Sequence, residues 1–230
     1  MTHWQVLIPV KGTTRAKTRL GDAFGRHRPQ LALAFARDTV AAAVSCPVVA
    51  DVTVTTGDPA AAAMFADTSA HVFDDRRSSG LNAAISLAVR EVARLRDARR
   101  LAVLLGDLPA VTPIALARAL ELAEKHERAF VADAAGTGTT LLCAQRGVDL
   151  RPRFGAASAI AHEASGAVRL RDAALATLRL DVDDVDDLLA ALRLGLGKHT
   201  DNLLRDIGWP TPDVAALTGE SLMLEHIGGR

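Results

Sequence analysis

The 230-residue sequence contains two cysteines and no tyrosine, carries no net formal charge, and has no apolar run of membrane-spanning length. Each absence excludes something. Cys46 and Cys143 lie far apart in no metal-ligand or redox spacing, so neither a structural zinc nor a disulfide is implied, and both read as buried thiols of a reducing compartment. With 27 basic and 27 acidic residues, the overall field gives no reason to invoke nucleic acid or an anionic membrane; any anionic ligand has to be met by local clusters. The start, Met1-Thr-His-Trp-Gln5, has neither the charge nor the apolar stretch of a signal peptide, which makes a cytoplasmic location the expectation. Dinucleotide and P-loop fingerprints are missing. His162-Glu163 has no second histidine four residues on, so it is not a zinc motif and reads as helix surface. The lack of tyrosine beside abundant alanine, leucine, arginine and aspartate reads as genomic composition rather than function.

What is present alternates strand-like and helix-like segments, which argues for one α/β domain over residues 1–230, with 198–230 as a helical appendage and tail. Leu101-Ala-Val-Leu-Leu-Gly-Asp-Leu-Pro109 is an apolar run that stops on Gly-Asp, the pattern of a buried central strand delivering one carboxylate to a crevice. Ligands of open α/β sheets bind beyond the carboxyl ends of the strands, so Asp107 is placed for a metal rather than for packing. Its alternative use as a helix cap is already filled by Thr112-Pro113. A first strand over 5–10 runs into a loop with Lys11, Arg15, Lys17 and Arg19, four cations in nine positions and a candidate triphosphate cradle. Further helices are expected over 29–45, 81–96 and 113–125, and strands over 48–55, 71–73 and 129–132. Gly136-Thr-Gly-Thr-Thr140 then leads into Leu141-Leu-Cys-Ala144 too soon for a crossover helix, so that pair is expected to be antiparallel or bulged. Short strands are expected over 168–170 and 178–181, and helices over 155–165 and up to 194.

Two constellations carry chemistry. Asp181 and Asp183 follow the last expected strand, where residues two apart face one side, so both can look into the crevice that Asp107 enters. Carboxylates gathered there repel by about 4 kcal/mol at 4 Å with an effective dielectric near 20 unless a cation lies between them, and magnesium, which takes a few carboxylates plus phosphate oxygens, suits nucleotidyl transfer. Asp183, Asp184, Asp186 and Asp187 are read as helix-capping residues, Asp184 and Asp187 as an imperfect capping box. The second constellation is Gly136-Thr-Gly-Thr139 with Phe154-Gly-Ala-Ala-Ser158. Glycines let backbone N–H groups approach an anion, the helix expected after Gly155 presents N–H groups at its positive end, Ser158 adds a hydroxyl, and Arg151 and Arg153 flank it, which points to a phosphate or carboxylate site.

In chain order, Ile8-Pro-Val-Lys11 with Ala16-Lys-Thr-Arg-Leu20, Leu81-Asn82, Gly106-Asp-Leu-Pro109, Gly136-Thr-Gly-Thr139, Arg153-Phe-Gly155 and Asp181-Val-Asp183 resemble the CofC/FbiD family of guanylyltransferases in coenzyme F-420 biosynthesis. The resemblance implies a Rossmann-like nucleotidyltransferase fold of the GT-A kind with a mixed, mostly parallel central sheet. It implies coupling of GTP to phosphoenolpyruvate, or alternatively to 2-phospho-L-lactate, with release of pyrophosphate. Carried over by motif, Asp107 and Asp181 would hold Mg²⁺ and, with Lys17, form the catalytic set. Thr139, Gly155 and Ser158 would contact the phosphorylated acid. Lys11, Lys17 and Arg19 would meet the triphosphate, and Asn82 would sit near the nucleoside. Asp184-Val185 departs from the Thr-Pro usual after the second aspartate, which touches the helix cap and not the ligand. A catalytically silent nucleotide-binding domain is the alternative of another class, against which the retention of both acids and both turns argues. Oligomeric state is left open by these motifs.

Overall fold

The computed structural model describes residues 3–10, 18–76, 78–95 and 100–209. Strand β1 (Trp4–Pro9) is buried at every position, as a strand covered on both faces must be. A 3-10 turn (Thr18–Leu20) and the short α1 (Gly21–Phe24) precede α2 (Arg28–Val44), which carries Pro29 in its first turn. Next come β2 (Val49–Thr56), α3 (Pro59–Phe65), β3 (His71–Asp74), α4 (Leu81–Leu95), β4 (Arg100–Leu104) and α5 (Pro113–Ala123). Asp58 starts α3 by accepting from Ala60 N–H at 2.8 Å, and Thr112 starts α5 by accepting from Ala115 N–H at 3.1 Å.

Strands β5 (Arg128–Ala132), β6 (Thr139–Ala144) and β7 (Val168–Arg169) complete a seven-stranded sheet of order β3-β2-β1-β4-β6-β5-β7. Its pairings are parallel except those of β6 with β4 and β5, and the β5–β6 register shifts at Val131/Ala132, so that hairpin is both antiparallel and bulged. The period-2 alternation of the strands divides the core between the two faces. Val6, Ile8, Ala102, Leu104, Leu141 and Cys143 join α2, α3 and α5 on one side. Leu7, Val103, Leu142 and Ala144 meet Ile85 and Ala88 of α4 and Ala159 on the other. Both cysteines are free and buried, as their spacing implied.

A third cluster joins Leu20, Phe24, Leu31 and Phe35 to Val182, Leu188, Ala191 and Leu204, which packs α7 (Val185–Leu194) and α8 (Lys198–Asp206) onto the start of the chain. Asp38 of α2 accepts from the N–H groups of His199 and Thr200 at 2.9 and 2.8 Å, tying α8 to α2; a Cβ at Gly197 would run into that carboxylate. Helix α8 is thus part of the packed body.

The structure corrects two expected elements. Residues 178–181 form no strand: Ala173–Leu178 is a 3-10 helix that buries Leu175 and Leu178, and the chain after it runs outside the sheet. The alternation of Leu178, Leu180 and Val182 reflects burial without a ladder partner. Helix α6 (Ser158–Ala164) begins three residues later than expected, because Gly155 at φ 135° and Ala157 at φ 55° interrupt the backbone before it. Among the described residues no helix is long and apolar enough to cross a membrane.

Candidate active site

Beyond Leu104 the chain stays beside the sheet through Leu105 N–H, which donates to Thr140 O at 2.9 Å. It then crosses the end of β1 at Gly106, where a Cβ would sit 3.1 Å from Pro9 O, so only glycine passes without displacing that carbonyl. Asp107 follows, half-buried at the carboxyl edge of the parallel strands. Its flank is held by Thr39 of α2: Leu108 N–H donates to Thr39 Oγ1 at 3.2 Å, and the Thr39 hydroxyl donates to Phe35 O at 3.0 Å.

The peptide of Asp107 also reaches the second acid. Val182 N–H donates to Asp107 O at 3.1 Å, which sets Asp181 on a segment alongside Asp107 although 74 residues separate them in sequence. Asp181 reaches this place from an irregular segment anchored by buried Val182, not from a strand end as the sequence suggested. Asp184 and Asp187 form a reciprocal capping box on α7, and Asp187 Oδ2 also accepts from Asp183 N–H at 2.9 Å. Asp183 is exposed. Two hard carboxylates on adjoining segments suit a magnesium ion that completes its shell with phosphate and water. No group of three or more His, Cys, Asp or Glu side chains able to hold a metal occurs among the described residues.

The glycine turn works differently from the sequence expectation. Its N–H groups are directed at the chain's own carboxylate: Asp133 accepts from Thr137 N–H at 2.9 Å and Gly138 N–H at 2.7 Å, while Gly136 N–H donates to Asp133 O at 3.1 Å. A Cβ on Gly138 would collide with Asp133. The turn is therefore closed on itself and delivers Thr139 at its end. Likewise the first N–H groups of α6 are occupied, Ser158 N–H on Gly155 O at 3.1 Å and Ala159 N–H on Thr137 O at 3.0 Å. That corrects the picture of an open helix terminus. What the two elements bring together is side-chain hydroxyls, Thr139 and Ser158, both nearly buried, with the permissive backbone of Gly155 between them.

His162 joins these parts, and the sequence reading of it as helix surface is wrong. The ring is 0% exposed, lies edge-on to Phe154 at 5.2 Å, and meets Thr139 Oγ1 through Nδ1 at 2.9 Å. Its Nε2 accepts from Arg153 N–H at 2.9 Å. Burial, with the charges of Arg128 and Arg153 adding to it, pushes the imidazole down to about 4. The pattern Ser158, Ala159, His162 at i, i+1 and i+4 marks the buried face of α6, but exposed Ile160 obscures it.

Asn82, which the resemblance sets near a nucleoside, is engaged with the chain's own backbone. Its Oδ1 accepts from Phe154 N–H at 2.8 Å and its Nδ2 donates to Phe154 O at 2.9 Å, so the carboxamide clamps the loop before α6 to the start of α4. Arg151, at φ 51°, holds a left-handed conformation within that loop. Arg19 is exposed on the 3-10 turn beyond β1, while Lys11 and Lys17 lie outside the described residues.

A mostly parallel sheet with one reversed strand beside its centre, and the segment of Asp181 bonded alongside that of Asp107 beyond its carboxyl edge, is the fold of the nucleotidyltransferases. Among solved structures the chain matches a nucleotide-diphospho-sugar transferase candidate from Desulfovibrio desulfuricans G20 with a TM-score of 0.69 at 19% identity, over 90% of this chain and 96% of that one. A Mycobacterium tuberculosis H37Rv protein crystallised as a complex with manganese matches with a TM-score of 0.51 at 25% identity, over 83% and 98% of the two chains. The family model for CofC-like guanylyl transferases matches residues 4–218, and the chain belongs to that family. A phosphoenolpyruvate guanylyltransferase of Streptomyces coelicolor is 50% identical over 199 residues, covering 86% of this chain and 94% of the relative.

Proposed function

We propose that the protein is a magnesium-dependent guanylyltransferase that joins the GMP moiety of GTP to the phosphate of phosphoenolpyruvate and releases pyrophosphate. The observation that supports the reading is the Val182 N–H bond to Asp107 O, which lays the segment of Asp181 alongside that of Asp107 at the carboxyl edge of the sheet in a chain of this family. The name of the half-identical Streptomyces relative supports the choice of acid. The manganese complex of the mycobacterial neighbour supports a divalent cation.

In this reaction an acceptor phosphate oxygen attacks the α-phosphorus of GTP, a phosphorus–oxygen bond forms, and the bond to the β-phosphate oxygen breaks. No protein nucleophile is required, because the acceptor is already an anion; the chain's work is to hold two polyanions in line. Bound by Asp107 and Asp181, Mg²⁺ would neutralise charge on the polyphosphate. Thr139 and Ser158 donate hydroxyl protons to the acid, Gly155 gives it close backbone approach, and Lys11, Lys17 and Arg19 meet the triphosphate.

Steady-state titration of each substrate tests these assignments. Ser158→Ala and Thr139→Val each remove a donor to an anion worth roughly 1.5–3 kcal/mol, so each raises the KM for the acid about tenfold or more and leaves that for GTP nearly unchanged. Pyrophosphate release is assayed with phosphoenolpyruvate and with 2-phospho-L-lactate side by side. Turnover with the lactate alone would reassign the acceptor, and GTP binding without pyrophosphate from either acid would make this a silent nucleotide-binding domain.

A further inference from the structure

We propose that His162 is a positioning residue that turns the Thr139 hydroxyl into an obligatory proton donor toward the acceptor while pinning the loop at Arg153. The inference rests on the reading of Thr139 as a ligand of the phosphorylated acid. It follows from a chain of donors and acceptors whose first link has only one direction. A backbone N–H can only donate, and Arg153 N–H points at His162 Nε2 at 2.9 Å, so Nε2 carries no proton. A neutral imidazole then bears its proton on Nδ1. That proton is directed at Thr139 Oγ1, 2.9 Å from the nitrogen, which must accept it. With one lone pair engaged, the Thr139 hydroxyl proton is turned away from the ring and offered to whatever anion enters.

A doubly protonated ring would set an N–H against the N–H of Arg153. It would also place a cation in a fully buried position facing Arg128 of β5 and Arg153 of the loop, between Phe130 and Phe154. The ring is therefore neutral in the tautomer that the geometry selects. The same bonds let His162 tie the end of the glycine turn, the Arg153 loop and α6 together. Its two ring nitrogens thus serve one purpose. One sets where the loop lies, and the other sets which way the hydroxyl of the turn points.

Two measurements on the full chain test this. The first is the imidazole ¹⁵N spectrum of His162 in the unmodified protein without substrate, assigned by its loss in His162→Gln. The expected result is a protonated Nδ1 and an unprotonated Nε2; an Nε2–H tautomer overturns the proposal whatever the activity. The second is a cycle of His162→Gln, Thr139→Val and the double variant. The glutamine carbonyl can still accept from Arg153 N–H, so the loop is kept while the donor to Thr139 is lost. His162→Gln is expected to raise the acid's KM several-fold with that for GTP unchanged, and to have no effect once Thr139 is Val, because the two side chains act as one unit. Additive effects mean that His162 serves packing alone, and overturn the proposal. If Thr139→Val leaves the acid's KM unaltered, the acceptor assignment falls, and the positioning role of His162 falls with it; the ¹⁵N result distinguishes that failure from a wrong tautomer. Should His162→Gln fail to fold, the spectrum can be assigned from its contact with Arg153 N–H and still decides.

Discussion

Replacing Asn82 by Ala separates the clamp that the structure displays from the nucleoside contact that the motif suggests. The substitution removes two bonds, 2.8 and 2.9 Å long, to the N–H and C=O of Phe154, a residue whose surroundings are nearly closed to water. Each net contribution is about 0.5–1.5 kcal/mol, so about 2 kcal/mol is lost, with more where the freed backbone groups stay dry. For a chain of this size that lowers Tm by roughly 4–8 °C. Released from α4, the loop that carries Arg153 and Gly155 no longer holds its place, so the acid's KM rises about tenfold while that for GTP stays within about twofold. Asn82→Asp should fare no better, because it keeps an acceptor for Phe154 N–H and sets a carboxylate oxygen against Phe154 O. Calorimetry and substrate titrations of both variants measure this. A Tm within about 1 °C of the parent, with GTP and not the acid weakened, would refute the clamp and restore the nucleoside role.

Asp107→Asn and Asp181→Asn keep their shapes while removing charge beside a polyphosphate, so both should fold and lose at least about a hundredfold in kcat at saturating magnesium; turnover within a few-fold of the parent ends the metal assignment. Gly138→Ala drives a Cβ to 3.1 Å from Asp133 Cγ and opens the turn, so melting should fall, whereas Gly21→Ala, with nothing within 4 Å, should leave Tm level or raised. His162 sets a pH dependence. Its folded-state value of about 4 lies below the ordinary 6.5, so the unfolded chain binds the extra proton first and stability is lost as pH falls from 6.5 toward 4, by roughly 3 kcal/mol in all. Denaturant titrations across that window should show the slope, and His162→Gln should lack its share of it.

The sequence made the sheet legible because its interior strands are buried on both faces and so centre on apolar runs, as in Val6-Leu-Ile8 and Leu141-Leu-Cys-Ala144. Caps at Thr112 and Asp184 were legible too, since each acts within three residues of itself. Asp181 was set beside the Asp107 segment for the wrong local reason: alternating burial at Leu178, Leu180 and Val182 looks the same whether or not a neighbouring strand exists. Asn82 and Phe154 are 72 residues apart, and no periodicity marks one side chain as the clamp of a distant loop. For Thr139 and Ser158 the motif placed the residues but misjudged the backbone. Glycine signals close approach, and the anion approached is Asp133 of the same chain.

These misses share a physical basis that bears on how the site recognises its acid. Arg151 and Ala157 hold left-handed conformations at either end of the loop, at about 1–2 kcal/mol each. The bonds that restrain the loop between them, two from Asn82 and one from His162 to Arg153 N–H, contribute about 0.5–1.5 kcal/mol apiece. The two sides nearly balance, so the loop keeps its shape because distant side chains hold it, and no run of residues within it would adopt that shape alone. A loop held in this way has its shape before any ligand arrives, so that, if the acid binds against it as proposed, loop ordering draws little on the binding energy. On the proposed assignment, discrimination between two acids that share a phosphate and a carboxylate then rests on the fixed positions of Thr139, Gly155 and Ser158. Loosening the clamp should therefore narrow the difference between phosphoenolpyruvate and 2-phospho-L-lactate as well as weaken both, and the ratio of their kcat/KM values in Asn82→Ala measures whether it does.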